Sequence, residues 1–272
     1  MKVLSIEQIF SRMNSSYKKL GLQILGGYSS FLIPPQGGAQ FNFVADNEYL
    51  KSTSGGIAND EATFMFGVCR FLKPRRILII GNSYGVSTLF LSLVNLDSTV
   101  VALDKFRVTG NSVTRELLKD LGEKIVLEGS TPEDLSKIIE DHLDGIVDFC
   151  LIDAVHSNEV QTAEFQILQH YMSENSVIVF HDVLSTDLMT SFAHLEDINN
   201  NFRFKLATKT SSGLGLAMRG EFDSEFENYL EYFTQSFETV YKFSASIEAL
   251  RISKYFTADS NTMYKIPLHP QT

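Results

Sequence analysis

Hydrophobic and polar positions along the chain follow two rhythms. Near the start, Ile6, Ile9, Phe10, Met13, Tyr17 and Leu20 recur at helical spacing. The stretch GGYSSFLIPPQGG then brings Gly and Pro punctuation and reads as loop. A second helix fits Asn59 to Phe71 and is closed by Lys73-Pro74. From Arg76 short continuous apolar runs alternate with amphipathic ones. The runs RILIIG, TVVALD, IVLE, VDFCLID and SVIVFH read as five strands. Helical patterns over 86–96, 112–121, 132–142, 159–172 and 184–198 follow them, with Ser130 or Thr131 as a cap for the third. Two further strands, 202–207 and 214–219, are placed to pair across the intervening turn.

Strand–helix alternation with near-continuous apolar strands predicts a parallel sheet covered by helices on both faces. The expected fold class is therefore α/β, a Rossmann-like doubly wound sheet of seven strands, mostly parallel and ending in an antiparallel hairpin. Residues 1–56 read as a helical and loop extension, 57–219 as the main domain, and 220–272 as an aromatic-rich helical extension. In the last, Phe226, Leu230, Phe233, Phe237 and Tyr241 repeat at helical spacing. That face suits packing on the domain or on a second subunit, and with the segment 28–43 it is a candidate for closing a pocket.

Such sheets bind ligands beyond the carboxyl ends of their strands. Those ends carry Gly81-Asn82-Ser83, Asp104, Glu128-Gly129-Ser130, Asp153 with His156, and His181-Asp182. Gly81 and Gly85 bracket a small polar turn that opens a helix, so backbone N–H groups are offered to a ligand. Asp104 ends the next strand about 20 residues on, where an acid accepts hydrogen bonds from ribose hydroxyls.

Charge narrows the partners. The formal net charge of −10 disfavours phosphate backbones, so no nucleic acid is expected. No apolar run approaches the roughly 20 residues of a membrane span, and the N-terminus has no signal-peptide core, so no membrane partner and a cytoplasmic location are expected. Cys69 and Cys150 sit in apolar surroundings and read as buried free thiols.

Taken together, Gly81-Asn-Ser-Tyr-Gly-Val-Ser-Thr88 preceded by a helix containing Glu61, with Asp104, Glu128-Gly-Ser130, DFCLIDAVHS and SVIVFHDV, resemble the motifs of class I S-adenosylmethionine-dependent methyltransferases. The small-molecule O-methyltransferases are the subgroup they resemble most. The resemblance implies S-adenosylmethionine as cofactor, lined by Gly81, Asn82, Ser83, Gly85, Ser87, Asp104, Ser130 and Asp153. It implies a hydroxyl on a small-molecule acceptor. His156, three residues past Asp153, is implied as the general base, and a neutral imidazole suits that role near neutral pH. Asp153, His181 and Asp182 stand where metal-dependent relatives hold a divalent ion. Here His181 replaces an oxygen ligand, which moves the preference from Mg²⁺ toward softer ions. A metal-free site, with His181 and Asp182 bonded to substrate or to each other, is the alternative.

One position departs from the pattern. Ile79 stands where the family often has an acid two residues before the first glycine. A methyltransferase fold kept as a binding or assembly module is therefore the second reading. An NAD(P)-dependent oxidoreductase is the third, although Ser87-Thr88 occupy the place of its third glycine.

Overall fold

The structure, a computed structural model, describes residues 3–25, 42–46, 52–105, 108–186 and 188–234. Most of the segment 28–43 and the tail beyond 234, with Phe237 and Tyr241, lie outside the described residues.

Helix α1 (Ile6–Lys19) opens with a reciprocal cap: Ser5 Oγ accepts from Gln8 N–H, and Gln8 Oε1 accepts from Ser5 N–H. Three strands that the pattern did not predict follow it: β1 (Leu22–Leu25), β2 (Asn42–Asp46) and β3 (Ser52–Gly56), paired antiparallel in that order. Helix α2 (Asn59–Leu72) ends at Lys73 in the left-handed conformation, immediately before Pro74.

The main sheet then builds up. Its parallel strands are β4 (Arg76–Ile80), β5 (Thr99–Leu103), β6 (Lys124–Leu127), β7 (Val147–Ile152) and β8 (Met172–Phe180). Strands β9 (Arg203–Ala207) and β10 (Leu214–Arg219) close one side as an antiparallel hairpin, and β10 also runs antiparallel to β8. The strand order β6-β5-β4-β7-β8-β10-β9 is that of a doubly wound sheet. Side chains obey the period of two. Ile77, Ile79, Val100, Ala102, Phe149, Leu151, Val177 and Val179 enter one buried layer; Leu78, Ile80, Val101, Leu103, Cys150, Ile152, Ile178 and Phe180 enter the other. Both faces are apolar because helices cover both. Buried side chains of α1, α2, α3 (Val86–Val94), α4 (Val108–Leu118) and α8 (Ser224–Phe233) join the first layer. Those of α5 (Leu135–Leu143), α6 (Asn158–Leu168) and α7 (Met189–Ile198) join the second. Among the described residues, no helix is long and apolar enough to cross a membrane.

Several helix boundaries differ from the pattern, each for a local reason. Helix α4 spans Val108–Leu118 rather than 112–121; within it Thr114 bonds back to the Gly110 carbonyl. Helix α5 starts at Leu135 with Asp134 as its cap residue, not Ser130 or Thr131. The Asp134 carboxylate accepts the Ser130 N–H and closes a turn first. Helix α6 stops at Leu168 because β8 already begins at Met172. Helix α7 starts at Met189 because the N–H groups of Val183 and Leu184 bond to the Gly213 and Ser212 carbonyls instead.

One buried acid sits inside the fold. Glu164 on α6 is fully buried; one carboxyl oxygen accepts from Thr131 and the other has no hydrogen-bond partner among the described residues. Burial pushes its carboxyl up to about 7, against the pull of the Thr131 bond. The native state therefore keeps a proton that the unfolded chain loses near pH 4.5. Stability from this group is fully present below that value and lost as pH rises through about 7. Glu164→Gln holds the neutral shape at every pH. It is expected to stabilise the protein by about 3 kcal/mol at pH 8 and by almost nothing at pH 4. Urea unfolding at the two pH values checks this; equal effects at both would show that the carboxylate is not destabilised by burial.

Candidate functional site

The strand order reverses between β4 and β7, and the two carboxyl tips meet there. Gly81 leaves β4 at φ +98, and a Cβ on it would stand 1.8 Å from the Asp153 carbonyl oxygen. Asp153 N–H in turn donates to the Ile80 carbonyl. The two backbones touch, which only glycine permits. Gly85, at φ +80, begins α3, and a Cβ there would strike the Thr114 side chain. Both glycines therefore answer first to the protein's own packing.

The turn between them is held from several sides. Asp104, half-buried at the tip of β5, accepts the Ser83 N–H at 2.8 Å. The Tyr17 hydroxyl of α1 donates to the Tyr84 carbonyl at 2.6 Å. Asn82 turns its side chain inward, where it donates to Asn111 and Thr114 and accepts from Thr88. Only its backbone remains at the crevice. Ser87 is buried beside it, and Ser130 on the neighbouring loop bonds Glu133 and receives Lys105 Nζ at 3.2 Å. Val44 of β2 and Gly56 of β3 lie over the turn. The crevice they form with Gly81, Ser83, Ser87 and Asp153 encloses about 10 Å³. A larger groove of about 640 Å³ opens at the opposite edge of the sheet, around Lys73, Arg75, Tyr171 and Arg219, away from every residue picked out by the motifs.

Beside the crevice stands a chain of acids and imidazoles. His181 follows β8 and is 3% exposed. Its Nε2 lies 2.8 Å from Glu61 Oε2, and its Nδ1 lies 3.2 Å from Asp153 Oδ1 and 3.1 Å from Asp182 Oδ2. His156, 39% exposed, places Nε2 3.1 Å from the same Asp182 oxygen and 3.9 Å from Asp153 Oδ1. The donor atoms of Asp153, His156, His181 and Asp182 all lie within 4.8 Å of one another. Asp182 holds this place at φ +59, a conformation that strains a residue with a Cβ. Ser185 bonds its other oxygen at 2.6 Å.

Glu61 anchors the chain from within the core. It is fully buried at the start of α2. Its Oε2 accepts from Ala58 N–H at 2.8 Å, and its Oε1 accepts from the N–H and hydroxyl of Ser212. Burial pushes the Glu61 carboxyl up, but the His181 charge and these bonds outweigh it and hold it below the ordinary range. For His181 burial works against the charged form, yet Asp153 and Glu61 raise it well above the usual histidine value. Burial likewise opposes the charged form of Asp182, and its bonds from His156 and His181 pull it far down. His156 is raised, first by its bond to Asp182. The site thus carries alternating fixed charges in a mostly water-free setting, able to stabilise a cation or move a proton.

All the strand-end residues read from the sequence, apart from the Asn82 side chain, come together at this edge. Ser212 was missed, and Glu61 entered only as a residue of the helix ahead of the glycine turn, without a role in the site. A signal existed for Glu61: it heads a helical stripe with Phe64, Met65 and Val68, an acid on an otherwise apolar face. Ser212, in the turn before β10, offered none. Ile79 is wholly buried, so the position that often carries an acid is here part of the core.

Residues 78–183 match the model of a family described as a methyltransferase domain, which bears out the resemblance read in the motifs. No curated protein matches the chain. Among solved structures, the chain is similar to the O-methyltransferase from Bacillus cereus in complex with SAH. That likeness has a TM-score of 0.51 and 19% identity, over 60% of this chain and 82% of that one. It is also similar to cofactor-bound Rv0187 from MTB, with a TM-score of 0.51 and 20% identity over 61% and 83%. At these identities the likeness is one of fold.

Removing the imidazole at 181 leaves the Glu61 carboxylate buried without its counter-charge. His181→Ala is expected to destabilise the protein by about 3–5 kcal/mol at neutral pH, measured by urea unfolding. A loss below about 1 kcal/mol would mean that the pair is not ionised.

Proposed function

We propose that this chain is an S-adenosylmethionine-dependent methyltransferase that methylates a hydroxyl on a small molecule. The observation that carries this reading is the meeting, at one topological switch point, of the glycine turn, Asp104 and the Asp153–His156–Asp182 cluster. The matched methyltransferase domain and the SAH-bound structural relative support it.

S-adenosylmethionine, when bound, supplies an electrophilic methyl group. The chain's residues do the rest. Asp104 would accept hydrogen bonds from the ribose, and the backbone of the 81–85 turn would hold the amino-acid portion. The Ser130 loop would hold the adenine. His156 gives its Nε2–H to Asp182, so Nδ1 carries the lone pair that takes the acceptor proton. The Asp182 charge steadies the imidazolium that results. Transfer of that methyl to the acceptor oxygen would leave the electron pair of the broken carbon–sulfur bond on a neutral thioether. Asp153, His181 and Asp182 offer donors that suit a divalent ion; bound there, it would supply positive charge to the acceptor oxygen. The acceptor is a phenol, sugar or comparable hydroxyl compound.

A second reading rests on two features. Ile79 is buried where an acid is common, and the crevice at the turn is small, so an adenosyl donor enters only if β2 and β3 move. A fold retained for binding or assembly, without turnover, fits these features too. Calorimetry with S-adenosylhomocysteine separates the readings: no heat at millimolar ligand would favour the second.

Two variants test the assignments. Asp104→Ala is expected to weaken S-adenosylhomocysteine binding by about 1–3 kcal/mol in calorimetry, the scale of lost charge-assisted hydrogen bonds. An unchanged affinity would remove Asp104 from the ribose. His156→Ala is expected to slow methyl transfer to a panel of phenols and sugars by about 10²–10⁴-fold. A rate within a few-fold of the parent would mean that another group takes the proton.

A further inference from the structure

Glu61 is buried in the core and touches no crevice, yet its bonding decides what the site can bind. Both of its carboxylate oxygens accept backbone N–H groups, those of Ala58 and Ser212, and the Ser212 hydroxyl adds another donor. Backbone N–H groups have no choice of role, so Glu61 is an acceptor throughout. At 2.8 Å from Glu61 Oε2, His181 Nε2 must therefore carry the hydrogen. This leaves the lone pair of a neutral His181 on Nδ1. Nδ1 points at the corner between Asp153 Oδ1, 3.2 Å away, and Asp182 Oδ2, 3.1 Å away. When the ring is charged, a proton on Nδ1 supplies the positive charge that the two carboxylates call for; a divalent ion that displaced this proton would meet three electron-rich atoms.

The chemistry of the donors selects the ion. Mg²⁺ prefers an all-oxygen octahedron and gives up its water reluctantly, whereas imidazole nitrogen suits Zn²⁺, Co²⁺, Ni²⁺ and Fe²⁺. A histidine held by a carboxylate at its far nitrogen is a better and more rigid ligand. The spacing agrees: metal–ligand bonds of about 2.0–2.2 Å give a tetrahedron with edges of roughly 3.3–3.6 Å. The separations from His181 Nδ1 lie just below that range before any adjustment.

We propose that Glu61 is a positioning residue that locks His181 in its Nε2–H form. In this form the Asp153–His181–Asp182 corner is a nitrogen-containing site that selects Zn²⁺ or Co²⁺ over Mg²⁺. The inference deepens the reading of the same cluster as the acceptor side of a methyltransferase and rests on that reading for its functional meaning.

The test titrates the metal-stripped full chain with Zn²⁺, Co²⁺ and Mg²⁺ separately, following heat for all three and the visible d–d bands for Co²⁺. Co²⁺ and Zn²⁺ are expected to bind at least about 100-fold more tightly than Mg²⁺. Glu61→Gln is expected to weaken Zn²⁺ and Co²⁺ about 10–100-fold and Mg²⁺ much less. Equal affinity for Mg²⁺ and Co²⁺, or Co²⁺ binding that Glu61→Gln leaves unchanged, would overturn the proposal. If that variant fails to fold, the wild-type protein suffices. Long-range ¹H–¹⁵N spectra of its imidazoles should show His181 protonated at Nε2, with Nδ1 shifting on Zn²⁺ addition; a hydrogen on Nδ1 in the zinc-loaded protein would overturn the proposal. S-adenosylhomocysteine binding, measured on the same metal-stripped sample, keeps the two ideas apart. Cofactor binding without the metal preference would sink this inference alone, and the metal preference without cofactor binding would sink the methyltransferase reading alone.

Discussion

A buried carboxylate under the tip of a central strand organises the functional edge of this protein. Glu61 lies in the core, satisfied by two backbone N–H groups, a hydroxyl and the His181 ring. An isolated charge at such depth would cost many kcal/mol, so the site exists only as a set. His181 neutralises Glu61, Asp153 and Asp182 balance His181, and His156 closes the chain at the surface. Polarity thus passes from the core to solvent through a line of alternating charge, and on the proposed reading that line ends at the acceptor hydroxyl.

The sheet decides where this line emerges. Strands β4 and β7 are neighbours although far apart in sequence, and their tips are so close that Gly81 admits no side chain. Asp153 is thereby fixed against the glycine turn, with Asp104 and the Tyr17 hydroxyl bracing the turn from either side. On the proposed reading, backbone contacts rather than flexible loops would bring the donor and acceptor halves of a transfer reaction within reach, the arrangement that orientation-dependent catalysis needs.

Much of this was legible in the residues. The apolar runs of the parallel strands have no other good explanation, and polar residues at their carboxyl ends mark the edge where ligands bind. What was illegible has physical causes. Strand β3 was missed because Ser-Thr-Ser-Gly-Gly has little strand preference, and β1 and β2 because such short runs are defined only by pairing across a long separation. The inward turn of Asn82 depends on Asn111 and Thr114, nearly 30 or more residues away. Glu61 and Ser212 lie 151 positions apart and meet only when the hairpin folds back over α2. Local patterns report elements; partners at such separations belong to tertiary structure.

The most direct test of the central claim is a crystal structure of the protein grown with S-adenosylhomocysteine. The account expects the ribose hydroxyls on Asp104, the sulfur at the Gly81–Asp153 junction facing His156, and strands β2 and β3 shifted to admit the ligand. Ligand bound at another edge of the sheet, or an unchanged crevice at saturating concentration, would contradict it.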